Sequence, residues 1–109
     1  MTLEEEKKLV ATRLMGWKQD EYVSKMFHKD KFSFIIIKNW NPQSNREPWS
    51  EIWEKLIKKN LYNRYEGKLD SLQTKQMGAY QWFHTAPPEI CWKALIQTLE
   101  DTCMQQKPV

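Results

Sequence analysis

Seven residues, Phe32 to Lys38 (Phe-Ser-Phe-Ile-Ile-Ile-Lys), constrain the fold more than any other stretch of the chain. β-Branched and aromatic side chains crowd this segment, which predicts a strand. Apolar residues fall on both of its faces, so both faces need cover. A sheet covered on two sides calls for helices in two layers rather than one wet face.

The helices have their own signatures. Thr2 and Glu5 stand at capping-box spacing, with Glu4 to Glu6 at the positive end of the helix dipole. Leu3, Leu9, Val10, Leu14 and Trp17 form a stripe that ends at Gly16, which predicts a helix from about Leu3 to Met15. Trp49, Ile52, Trp53, Leu56 and Ile57 keep the i, i+3, i+4 pattern unbroken and predict a second helix over about Arg46 to Leu61, capped by Ser44 or Asn45. A third begins behind Thr85, with Pro87 and Pro88 in its first turn and Ile90, Cys91, Ala94, Leu95, Thr98 and Leu99 as its buried stripe. Between these lie a polar loop from Lys18 to Lys31 and a region, Tyr62 to Gln73 and Thr74 to His84, that reads as a hairpin. The expected class is α+β: a small antiparallel or mixed three-stranded sheet covered by three helices.

With 109 residues the chain is expected to be one domain, with 102–109 as a frayed tail. A chain of this length buries on the order of 65% of its unfolded surface, enough for a core without metal or disulfide staples. The longest apolar run, Phe34 to Ile37, has four residues, and no membrane span is expected. The start is acidic where a secretory signal would be basic and then apolar, so a cytosolic location is expected.

Catalytic chemistry finds little support. Cys91 and Cys103 on one helix would lie about 18 Å apart, too far for a disulfide, and neither belongs to a zinc-type spacing. His28 reads as a solvated loop residue; His84 at a strand end could be an acid, a ligand or a hydrogen-bonded structural residue. The three glycines, Gly16, Gly67 and Gly78, are isolated and form no phosphate loop. No enzyme, cofactor or metal site is expected.

Binding has better support. Fourteen aromatic residues, six of them Trp, sit mostly where periodicity wants an apolar core residue, and large rings of this kind also serve as stacking platforms for bases and anchors at interfaces. The net charge of +3 is low for a duplex-DNA binder but can attract a phosphorylated ligand. Trp40, Asn41, Asn45 and Arg46 share one short loop and combine a ring for stacking, amides for a base edge and a guanidinium for phosphate. Arg64, Tyr80 and Trp82 complete the candidate ligand-binding set. The competing assignment is that the asparagines shape turns and cap the helix while Trp40 plugs the end of the sheet.

Three segments resemble a known family. Leu9-Val-Ala-Thr-Arg-Leu-Met-Gly-Trp17 after an acidic start, Asn39-Trp-Asn-Pro with Trp49-Ser-Glu-Ile-Trp-Glu-Lys-Leu56, and Thr85-Ala-Pro-Pro-Glu-Ile-Cys-Trp-Lys-Ala-Leu95 are similar in order to the phage ABA sandwich family. The resemblance implies an α/β/α sandwich encoded by a bacteriophage and working in the host bacterial cytoplasm, and it brings no catalytic residues. It brings no agreed activity either. The phage context, together with the aromatic content, moderate basicity and lack of catalytic groups, leads to the expectation of capture of a nucleotide-derived immune messenger, a cyclic oligonucleotide or cyclic ADP-ribose. Closing a site over such a ligand leads to the expectation of a symmetric homo-oligomer. The alternatives are direct inhibition of a host defence protein and an accessory role in virion assembly or DNA metabolism.

Overall fold

The computed structural model describes residues 1–76 and 86–105. They fall into two compact units, Met1–Asn41 and Pro42–Val109. The class is α+β, with a three-stranded antiparallel sheet in the first unit and helices in both.

The first unit opens with α1 (Leu3–Leu9), whose capping box is formed: Glu5 N–H donates to Thr2 Oγ1 at 3.2 Å while Glu5 Oε1 accepts from Thr2 N–H. The helix then widens into a π-helical turn over Val10–Leu14. Gly16, at φ 71°, ends it, and Trp17 N–H reaches back to Ala11 O at 2.9 Å. That return bond spans one residue more than in an ordinary glycine-terminated helix, as the wider turn requires. Val10, Ala11, Leu14, Met15 and Trp17 are all buried, whereas Leu3, expected on the same stripe, is exposed.

The sheet is assembled from β1 (Lys18–Gln19), β2 (Met26–His28) and β3 (Phe34–Ile36), in that order. Lys18 pairs with His28, and Phe27 sits between Gln19 and Ile35. Two of the strands therefore come from the segment expected to be a loop. Asx turns drive this: Asp20 accepts from Tyr22 and Val23 N–H, and Asp30 from Phe32 and Ser33 N–H, so each carboxylate folds the chain back on itself. His28 is not a solvated loop residue but a half-buried strand residue bonded to Asp20 at 2.7 Å. That ring and the two backbone N–H groups hold the Asp20 carboxyl down at about 2. The strand expected over Phe32 to Lys38 is shorter, and its last part, Ile37–Asn39, is a 3-10 turn. Phe27 and Ile37 are buried, but Phe34 is 59% exposed, so the expectation of cover on both faces does not hold at that residue.

The second unit contains α2 (Trp49–Lys58), α3 (Tyr62–Gln76) and α4 (Pro88–Gln105). Among the described residues four α-helices thus stand where three were expected. In α2 the expected stripe is observed in part: Trp49, Ile52 and Leu56 are buried and Trp53 is half-buried, but Ile57 is 59% exposed. Its end is a complete Schellman motif: Asn60, at φ 59°, donates to Ile57 O, and Leu61 donates to Leu56 O at 2.9 Å. The hairpin expected from Tyr62 onward is instead a helix. Tyr62, Tyr65, Leu69 and Leu72 recur at helical spacing, and Tyr65 and Leu69 are completely buried. In α4 burial covers most of the circumference: Trp92 and Ile96 join the expected stripe, and the exposed residues Glu89, Lys93, Gln97 and Glu100 fall along one line. The helix runs four residues beyond Asp101, where a frayed tail was expected. The second strand expected over Thr74 to His84 has its start inside α3; its remainder, with Tyr80, Trp82 and His84, and the expected helix cap Thr85 lie outside the described residues.

Gly67 provides a direct check on α3. It lies in mid-helix and a Cβ there meets nothing within 4 Å. Gly67→Ala is expected to stabilise the protein by about 0.5–1 kcal/mol, read as a rise of several degrees in the thermal midpoint. A hairpin turn with glycine at positive φ would make the same change destabilising.

Candidate functional site

The Pro42–Val109 unit carries an open cleft of about 380 Å³ lined by Arg46, Glu47, Trp49, Ser50, Trp53, Ala86, Pro88 and Cys91. This volume lies within the roughly 300–1,000 Å³ range of small-molecule sites. Local folding explains its shape. Asn45 Oδ1 accepts from Glu47 N–H at 3.0 Å and turns the chain ahead of α2. The helix begins later than expected, behind Pro48, and no side chain caps it. The expected capping by Ser44 or Asn45 is therefore not observed: Asn45 shapes the preceding turn. The first turn of α2, where Trp49 N–H donates to Arg46 O at 3.1 Å, brings the positive end of the helix dipole to the cleft at Trp49 and Ser50.

Aromatic rings form the floor. Trp49 is buried, and its indole N–H donates to Pro42 O at 2.8 Å. It lies near-parallel to Tyr65 (6.2 Å, 26°) and tilted against Trp53 (6.1 Å, 43°). Trp53 is half-buried and donates from Nε1 to Tyr65 Oη at 3.3 Å. The phenol in turn bonds the Cys91 sulfur, and Cys91 Sγ donates to Ala86 O at 3.8 Å. One polar chain thus runs Trp53, Tyr65, Cys91, Ala86 beneath the cleft. Burial pushes the Tyr65 phenol far up and raises the Cys91 thiol. The Tyr65 bond and the charge of Arg46 act the other way on that thiol, so the guanidinium field reaches the floor.

The expected site residues divide. Arg46 is exposed at this cleft, and Asn45 is in the loop leading to it. Trp40 and Asn41 belong to the first unit and serve its packing. The Trp40 ring is 5% exposed and meets Trp17 edge-on at 5.0 Å, so it offers no open face for a base. Asn41 Oδ1 accepts from Lys7 Nζ at 2.8 Å. Arg64 lines a different groove, about 460 Å³, with Gly67, Lys68, Ser71, Thr98 and Asp101, where Lys68 and Asp101 pair at 2.7 Å. Tyr80 and Trp82 lie outside the described residues. Sequence reading missed Trp53 as a site residue: its helical spacing marked it as core, and only its half-exposed position distinguishes it from Trp49.

Among the described residues no group of three or more His, Cys, Asp and Glu side chains is arranged to hold a metal ion. No helix among them is long and apolar enough to cross a membrane. Neither a protein-family model, nor a curated protein, nor a solved structure matches the chain.

The buried thiol tests this geometry. In a Cys103→Ser background, Cys91 is expected to react with a small disulfide reagent more than about tenfold more slowly in the native protein than in urea, because its raised pKa and burial suppress the thiolate. Equal rates would mean that the floor of the cleft is open.

Proposed function

We propose that the Pro42–Val109 unit captures a nucleotide-derived small molecule in the cleft before α2, without turnover, as a sequestering protein of phage origin would in a host bacterial cytoplasm. A single observation carries the reading: an exposed guanidinium, Arg46, and an uncapped helix start meet at the rim of an aromatic-floored cleft. An anion at that rim gains charge-assisted hydrogen bonds and the favourable end of the α2 dipole. A base can then lie over Trp53, where stacking contributes about 1–3 kcal/mol per ring. Glu47 supplies an acceptor for a ribose hydroxyl or an exocyclic amine.

A second reading, capture of a host protein, is favoured by a separate observation. Tyr22 and Phe32 in the turns of the sheet are 91% and 95% exposed, and Phe34 beside them is also open. Rings of this kind are common anchors at interfaces.

Titration with a panel of cyclic di- and trinucleotides, ADP-ribose isomers and mononucleotides, followed by tryptophan fluorescence and calorimetry, separates the two. At least one class is expected to quench Trp53 saturably. Arg46→Ala is expected to weaken that ligand by about 10- to 100-fold, equivalent to the roughly 1.5–3 kcal/mol of a charge-assisted hydrogen bond. A flat panel, or unchanged affinity in Arg46→Ala, would overturn small-molecule capture at this cleft and leave the protein-binding reading.

A further inference from the structure

The Met1–Asn41 unit contains a buried cation with no anionic partner among the described residues. Lys7 is 6% exposed, and its ammonium donates to Asn41 Oδ1 at 2.8 Å and to Ile37 O at 3.4 Å, both neutral acceptors. The nearest carboxylate influence on it comes from Glu4, which is itself drawn to Lys8 at 3.9 Å. Burying an ammonium is costly unless an opposite charge accompanies it.

Lys7 opens onto a pocket of about 220 Å³ that it shares with Leu3, Glu4, Lys25, Ile37 and Lys38. The backbone builds this meeting point. Ile37 N–H donates to Lys25 O at 2.7 Å, which fixes the segment before β2 against the 3-10 turn carrying Lys38. Three ammonium groups and one carboxylate leave the lining with an excess of two positive charges. Leu3 and Ile37 supply apolar walls, which weaken the screening of whatever charge enters.

We infer that this pocket is an anion site for a phosphoryl group, either inorganic phosphate or a small phosphate monoester, with Lys7 as its buried anchor and Lys25 and Lys38 as its mobile clamps. The charge fits, since a phosphoryl group carries close to two negative charges at neutral pH. Lysine, a compact point charge with three rotatable donors, suits a tetrahedral oxyanion. No aromatic ring lines the pocket, so nothing there selects a base. This site is distinct from the cleft before α2, which takes its ligand by stacking.

Backbone amide spectra recorded while inorganic phosphate replaces chloride at constant ionic strength test the inference. Saturable shifts are expected at Leu3, Lys7, Lys25 and Lys38. Lys25 and Lys38 are exposed, so a Lys25→Gln/Lys38→Gln variant leaves the core intact; it is expected to bind phosphate at least about tenfold more weakly. Lys7→Met is expected to abolish the shifts, and if it fails to fold the double variant decides. Equal affinity in wild type and double variant, or shifts of equal size at the lysines of α2, Lys55 and Lys58, would overturn the site and leave non-specific charge screening.

Discussion

The hydroxyl and ring of Tyr65 organise the second unit. The side chain is completely buried, lies flat against Trp49 of α2, and hydrogen-bonds both Trp53 of α2 and Cys91 of α4. One residue of α3 thus ties all three helices together at the base of the candidate cleft. A buried phenol without partners would be costly, and so would a buried indole N–H or thiol. Here each satisfies the next. The rings also fix one another's orientation, so the half-exposed Trp53 is held in one pose under the rim that Arg46 and the first turn of α2 provide.

The first unit uses the same principle with a different group. Lys7, Asn41 and the carbonyl of Ile37 join the start of α1 to the end of the unit. Trp40 closes edge-on against Trp17, and Lys29 Nζ stands 4.9 Å from the Trp17 ring centroid. The surplus tryptophan is therefore used twice: Trp17, Trp40 and Trp49 fill cores, while Trp53 keeps part of its ring open.

How much of this was legible depends on whether the controlling interactions are local. The capping box of Thr2 and Glu5, the Gly16 stop and the Trp49–Leu56 stripe involve residues three or four apart, and they form as expected. The strands at Lys18–Gln19 and Met26–His28 were hidden because two and three residues carry no periodicity; Asp20 and Asp30, as turn formers, were the only available signal. The hairpin expected over Tyr62–Gln73 and Thr74–His84 does not form at 62–76, where a helix buries Tyr65 and Leu69 against the rest of the unit. Of the candidate ligand residues, Arg46 reaches a cleft because a turn directs it there. For Trp40 the packing role that the sequence also offered is the one observed, and only its partner Trp17, like the Lys7 partner of Asn41, is a long-range fact that no spacing reveals.

In the proposed capture, the open part of Trp53 and the Arg46 guanidinium serve one ligand. Indole and guanidinium N–H resonances followed together through a nucleotide titration test it most directly. Trp53 Nε1–H and Arg46 Nε–H are expected to shift with a common dissociation constant, while the indoles of Trp17 and Trp40 stay in place. Movement of the Trp40 indole with Trp53 and Arg46 unchanged, at nucleotide concentrations up to millimolar, would contradict it.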